Sequence, residues 1–263
     1  MEIRDIIRTG GGFVIGMVHC LALPGTMNYG GNCRDIIDHA VTDAKILEES
    51  GVDAIIVENM GDSPFAAKLD VIQANALAVI SQKVKEAVSI PVGIDAAFND
   101  YEVSLSIAHI IGATFVRIPV FVDTVQFYGG FIDPCARACM NYRKSLGDDT
   151  MILADVQVKH TNLVLPHVSI ETSAKNSQDC GADAIIVTGS AIGLETPIEM
   201  ISRVKKVVKI PVIAGSGVNA GNIKEQFSIA DGAIVGSSLK EGGKLENPIS
   251  GKLTKELLDA LRK

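Results

Sequence analysis

Residues 154–160 read ADVQVKH, placing Asp155, Gln157 and Lys159 at alternate positions. On an extended chain such residues share one side. A carboxylate and an amine facing one space suit acid–base chemistry. The carboxylate accepts a proton, and the lysine stabilises an oxyanion or, with a depressed pKa, attacks as a nucleophile. Other short apolar runs also end in polar groups. His19 follows 13–18, and Glu58 follows 54–57 with Asn59 and Asp62 just beyond. Asp95 follows 91–94 with Asn99 after it, Arg117 lies within 114–118, and Thr188 follows 184–187. In that ring, Glu58 and Asp155 are the acid–base candidates, Lys159 the electrophile, His19 a further catalytic candidate, and Arg117 a group that orients a carboxylate or hydroxyl. Asn59, Asp62, Asp95, Asn99 and Thr188 are candidate substrate contacts.

Each also has a structural reading. Asp155 with Lys159, or Glu58 with Arg117, could form a buried ion pair. Asn99, with Glu102 three residues later, has the pattern of a helix N-cap. His19 fits a satisfied core position equally well. Asp53 and Asp183 precede strand candidates, so their repetition points to folding rather than catalysis.

Glycine-rich turns supply a second kind of chemistry. Residues 211–218 read PVIAGSGV and 232–238 read GAIVGSS. Glycines let backbone N–H groups approach an anion closely. Gly215, Ser216, Gly217, Gly236 and Ser237 are therefore candidate phosphate contacts, with a short helical turn expected from Ser237. Gly215→Val is expected to block that site with limited effect on the core.

The elements that carry these residues are written twice. Residues 51–57 read GVDAIIV and 181–187 read GADAIIV; VKEAVSIPV at 84–92 returns as VKKVVKIPV at 204–212. Each half is a strand, a helix and a second strand. A repeated βαβ unit about half a chain apart predicts a TIM (β/α)8 barrel with a pseudo-twofold half-barrel repeat. Its standard phosphate site lies after the seventh and eighth strands. Eight apolar runs are present, at 13–18, 54–57, 91–94, 114–118, 151–154, 184–187, 211–214 and 232–235. Continuous apolar runs suit parallel strands buried on both faces. Residues 35–50 place Ile36, Ala40, Ala44 and Leu47 on one helical face, and 71–88 and 169–180 have helical spacing too. Asp133-Pro134 and Asn247-Pro248 have the form of helix openings.

Composition agrees with one domain over residues 1–263. The chain is 47% hydrophobic with 25 glycines, suited to a globular α/β fold. A net charge of −7 gives no basic surface for nucleic acid. The five cysteines form no CxxC pair, and with no signal peptide the simpler reading is reduced thiols in a cytoplasm. Residues 11–23 are apolar but too short to span a bilayer.

The chain resembles the BtpA/SgcQ family. The likeness rests on GMVHCLALPG at 16–25, VENMGDSPF at 57–65, FNDY at 98–101, FVRIPV at 115–120, ADVQVKH, VTG at 187–189, AGSGV at 214–218 and IVGSSLKEGG at 234–243. It implies a ribulose-phosphate-binding barrel and no assigned activity. It also marks Asp100, and His160 as a further candidate substrate contact, beside the positions above. Asp95 and Pro119 stand where relatives frequently have asparagine, Ile192 where they have threonine, and segment 121–134 differs.

The expected function is an enzyme acting on a small phosphorylated substrate, a pentose phosphate or nucleotide-like compound. Isomerisation, aldol-type cleavage and glycosidic hydrolysis all remain open. A non-catalytic assembly or ligand-sensing protein is the first alternative. A metal-dependent hydrolase using Glu58, Asp95, Asp155 and His160 is the second; no cofactor is otherwise expected, and a homo-oligomer is left open.

Overall fold

The computed structural model describes residues 12–189 and 195–262; Ile192 lies outside them. The strands are β1 (Phe13–His19), β2 (Ala54–Glu58), β3 (Val92–Asp95), β4 (Phe115–Ile118), β5 (Val125–Phe127), β6 (Gly130–Ile132), β7 (Met151–Val156), β8 (Asn162–Leu163), β9 (Ala184–Val187), β10 (Val212–Ala214) and β11 (Gly232–Val235). Eight of them close a barrel in the order β1-β2-β3-β4-β7-β9-β10-β11, with β11 returning to β1. Every neighbouring pair in it is parallel. The helices are α1 (Cys33–Ser50), α2 (Val71–Ala87), α3 (Tyr101–Ile111), α4 (Ala136–Ser145), α5 (Ile170–Asp179), α6 (Ile198–Lys205), α7 (Ile223–Phe227) and α8 (Gly251–Arg262). α1 to α7 each lead from one barrel strand to the next, and α8 follows the last strand. This is the (β/α)8 barrel. No helix among the described residues is long and apolar enough to cross a membrane.

Strand alternation separates two cores. Phe13, Ile15 and Met17 of β1 join Ala54, Ile56, Phe115, Met151, Leu153, Ala184, Ile186, Ile213 and Ile234 in the lumen. The intervening residues, such as Val14, Ile55 and Val57, pack outward against Ile36, Ala40, Ala44 and Leu47 of α1 and their counterparts. Glycine makes room for the largest lumen side chains: a Cβ at Gly93 would lie 2.1 Å from the Phe115 ring.

The repeated sequence becomes repeated structure. Gly51 and Gly181 turn the chain with φ of 97° and 98°, a left-handed geometry that glycine adopts without penalty. Ile55 N–H donates to the Pro91 carbonyl, as Ile185 N–H does to Pro211. β2-α2-β3 and β9-α6-β10 are corresponding parallel units. At the strand entrances, Asp53 accepts from Val14 N–H at 2.8 Å and Asp183 from Ile152 N–H at 2.9 Å. Asp231 does the same for Val212 N–H at 2.7 Å. These aspartates clasp neighbouring strands, the folding role expected of Asp53 and Asp183.

Three local expectations are corrected. α4 opens after Cys135, not at Asp133-Pro134, because Cys135 and Ala136 N–H groups both donate to the Phe121 carbonyl. α8 begins at Gly251, and Asn247 instead donates to the Glu241 carbonyl. Asp100, rather than Asn99, caps α3 by accepting from Val103 N–H. A further element lies outside the eight apolar runs: β5, β6 and β8 form a small antiparallel sheet in segments 125–132 and 162–163. Its hairpin turns on Tyr128-Gly129, which is not one of the Asn-Gly or Asp-Gly pairs that announce a two-residue hairpin. Phe127 of this sheet stacks on Phe98, with centroids 5.1 Å apart, which ties it to the loop after β3.

Candidate functional site

The lumen pattern continues one step beyond the apolar layers. His19, Glu58, Asp95, Arg117, Asp155 and Thr188 have the same strand phase as the residues filling the lumen, and they end it at the carboxyl side. Register aligns His19 with Glu58 and Glu58 with Asp95 across three adjacent strands. Gly215 and Gly236 occupy the equivalent positions after β10 and β11. A cavity of about 120 Å³ opens over this ring. His19, Glu58, Asp95, Arg117, Lys159 and His160 line it with Gly215, Ser216, Gly217, Gly236 and Ser237. Met60, Phe65, Phe98 and Leu245 add an apolar wall from the loops. Those four are not among the sequence candidates, although Met60 and Phe65 lie inside the VENMGDSPF motif and Phe98 inside FNDY.

The buried charges are paired selectively. Arg117 donates to both oxygens of Asp155, from Nε at 2.8 Å and Nη2 at 2.9 Å. Its Nη1 lies 3.5 Å from Asp95 Oδ2. His19 Nε2 lies 3.4 Å from Glu58 Oε2. Neither sequence-level pairing forms, because Asp155 takes Arg117 and Glu58 takes His19. Asp155, with both oxygens engaged, is suited to orienting Arg117 more than to moving protons. Burial raises the Asp155 carboxyl against the pull of Arg117. Burial works against the Arg117 charge too, yet Asp155 and then Asp95 hold the guanidinium firmly protonated. Burial alone would raise Glu58, but His19, Arg117 and Lys159 outweigh it and leave the carboxyl below its usual range. Burial and then Arg117 lower the Lys159 ammonium, opposed by Glu58 and Asp155. Burial, with Lys159, lowers His160.

Lys159 reaches the cavity by a different route from the one its spacing suggested. β7 ends at Val156, and Gln157 and His160 have left-handed φ of 50° and 66°, uncommon for non-glycine residues. Alternation therefore breaks at Gln157, whose amide donates to the Val168 carbonyl and Ser173 Oγ near α5. Lys159 N–H donates to Thr188 Oγ1 at 3.1 Å, which ties the loop to β9.

Asn59, Asp62 and Asn99 are spent on the scaffold rather than lining the cavity. Asn59 exchanges hydrogen bonds with both backbone groups of Ala97 and donates to Asp62 at 2.8 Å. Asp62 also accepts from Leu23 N–H and Gln73. Asn99 pairs with both backbone groups of Val120. These side chains lock the loops after β1, β2, β3 and β4 together.

The glycine loops are equally constrained. Gly189 N–H donates to Ser216 Oγ at 2.8 Å. A 3-10 turn runs over Ser237–Leu239, as expected from Ser237. Lys240, just beyond it, is fully buried in an ion pair with Asp43 of α1 at 3.2 Å and donates to the Asn247 carbonyl. A Cβ at Gly215 would lie 2.3 Å from Ile186 Cγ2. Gly215→Val would therefore disturb the lumen core, which corrects the expectation of a limited effect there. A Cβ at Gly236 would lie 2.8 Å from His19 Cε1, so this backbone passes directly beside the polar ring. Among the described residues, no three His, Cys, Asp or Glu side chains are arranged to hold a metal ion. Glu58, Asp95, Asp155 and His160 thus do not form the ligand set considered above.

Known proteins share this framework. The chain is 43% identical to an uncharacterized protein of Pyrococcus furiosus over 246 residues, covering 93% of each. It is 36% identical over 251 residues to the photosystem I biogenesis protein BtpA of Synechocystis, covering 94% of this chain and 87% of that one. A Mycobacterium tuberculosis tryptophan synthase structure superposes with a TM-score of 0.67 at 17% identity, over 99% of this chain and 97% of that one; this is a likeness of fold. The family model described as BtpA matches residues 12–263. That span includes the polar ring, both glycine loops and the Asn59 and Asn99 clamps, and the chain belongs to the BtpA family.

Proposed function

We propose that this protein is an enzyme that moves protons on a small phosphorylated substrate. The observation that carries the reading is convergence. Two glycine loops and a row of acids and cations line one cavity of about 120 Å³, at the barrel end where such loops commonly bind phosphate. That volume is below the roughly 300–1,000 Å³ of drug-sized ligand sites, which favours a pentose phosphate over a nucleotide. Backbone N–H groups of Ser216, Gly217, Gly236 and Ser237 would hold the phosphate, while Gly215, whose N–H donates to the Val187 carbonyl, would only let the chain approach it. Glu58, kept ionised, would act as base, and Lys159 would stabilise oxyanion charge as it develops. Arg117, fixed by Asp155, would orient a substrate oxygen. Isomerisation, aldol-type cleavage and glycosidic hydrolysis share these needs.

A non-catalytic assembly or sensing role is the rival, favoured by the name of the Synechocystis relative. A desolvated polar row that leaves Asp95 without a hydrogen-bond partner favours an enzyme, because burying polar groups without a use for them is costly. Inorganic phosphate, titrated by thermal shift and phosphorus NMR, tests the site. Ser237→Asp adds a like charge at the loop and is expected to weaken phosphate binding by about tenfold or more without lowering the apparent Tm of the free protein. Unchanged affinity in folded Ser237→Asp would remove the phosphate assignment.

A further inference from the structure

Asp95 differs from the two carboxyls nearest to it in the polar ring. Glu58 has His19 beside it, and Asp155 receives two hydrogen bonds from Arg117. Asp95 is fully buried at the end of β3 and lines the cavity. Neither of its oxygens has a hydrogen-bond partner among the described residues. The guanidinium fork that could serve it is turned to Asp155, which leaves Nη1 at 3.5 Å, the outer limit of a hydrogen bond. Register sets Asp95 directly beside Glu58, about 4.8 Å away at the backbone by ordinary strand spacing. An ionised Asp95 would lack the donors that offset burial of a carboxylate and would face a like charge one strand away. A carboxylic acid there avoids both penalties and keeps an O–H for a ligand in the cavity.

Resting on the reading of this cavity as a proton-transfer site, we propose that Asp95 is held as its neutral carboxylic acid and donates the proton that complements Glu58. The surrounding charges agree. Burial, then Glu58, push the Asp95 carboxyl well above its usual range, with Asp155 adding to them and Arg117 opposing. Glu58 moves the other way. Two carboxyls whose environments drive them apart define an acid and a base. The remaining charged or titratable neighbours are His19 on β1, Arg117 on β4, Asp155 on β7 and Lys159 in the loop beyond it.

The arrangement suits a substrate with a carbonyl next to a carbon that bears hydrogen and hydroxyl. Glu58 removes the C–H proton, and that electron pair becomes the C=C bond. The carbonyl π pair takes the Asp95 proton, giving an enediol, protonated Glu58 and ionised Asp95. Return of the Glu58 proton to the other carbon, with loss of the second hydroxyl proton to Asp95, restores both groups and needs no further reactant.

Infrared spectroscopy of the intact protein at neutral pH, beside phosphate titration, tests this. Wild type is expected to show a protonated-carboxyl C=O band that is missing from Asp95→Asn, with unchanged affinity for inorganic phosphate. Asp95→Ser is the second variant should Asp95→Asn not fold, and it should lose the same band. Equal spectra for wild type and a folded variant, with phosphate still bound, would overturn the neutral acid alone. A wild type that shows the band but binds no phosphate would keep Asp95 as the neutral acid and remove the phosphorylated-substrate reading.

Discussion

Lys159 has no carboxylate within ion-pair distance among the described residues, although Glu58 and Asp155 both act on its charge. The partner that would make it structural, Asp155, is committed to Arg117. Lys159→Met is therefore expected to keep stability within about 1 kcal/mol of wild type, measured by denaturant unfolding. A loss of about 3–5 kcal/mol, as when a buried pair is broken, would show that Lys159 supports the fold and would retire it as the electrophile. Arg117 and Asp155 have the opposite character, since removing either leaves a buried charge without its partner. Substitutions there will confuse folding with chemistry, whereas Lys159 and Ser237 allow the two to be separated.

At the scale of elements, the barrel has two kinds of fastening. Asp53, Asp183 and Asp231 join strand entrances, and Asn59, Asp62 and Asn99 join the loops at the mouth. Asp183 also pairs with Arg143 of α4 at 3.0 Å. Asp53→Ala and Asp183→Ala each strand a backbone N–H and are expected to cost about 1–3 kcal/mol, by denaturant unfolding. Phosphate affinity should not change, because both lie at the far end of the barrel. Loss of phosphate binding in a folded Asp53→Ala would show that the two ends are coupled. The fully buried Asp43–Lys240 pair fastens the turn after β11 to α1. Its two members are 197 residues apart in sequence, so no local pattern announces the contact.

At the scale of the whole molecule, the lumen is filled by side chains from all eight barrel strands or by the glycines that admit them. Phe115 is fully buried there against Gly93. Phe115→Ala is expected to cost about 3–5 kcal/mol, seen as a lower denaturant midpoint; a change below about 1 kcal/mol would mean that the lumen is loosely packed. The barrel, its half-repeat and the row His19, Glu58, Asp95, Arg117, Asp155 and Thr188 were legible in the chain. They follow from period-two alternation and repeated βαβ patterns, which are local properties of a strand. The sheet of β5, β6 and β8 was not read, because strands of two or three residues leave almost no periodic signal. Gln157 was misplaced because alternation ends wherever φ turns positive, and that turn depends on contacts with Val168 and Ser173. The sequence by itself determined which polar groups arrive at the barrel mouth. Only the tertiary structure decided that Arg117 serves Asp155, that His19 serves Glu58, and that Asp95 is left between them. Partner choice depends on distances between strands far apart in the chain, and these exist only once the barrel closes.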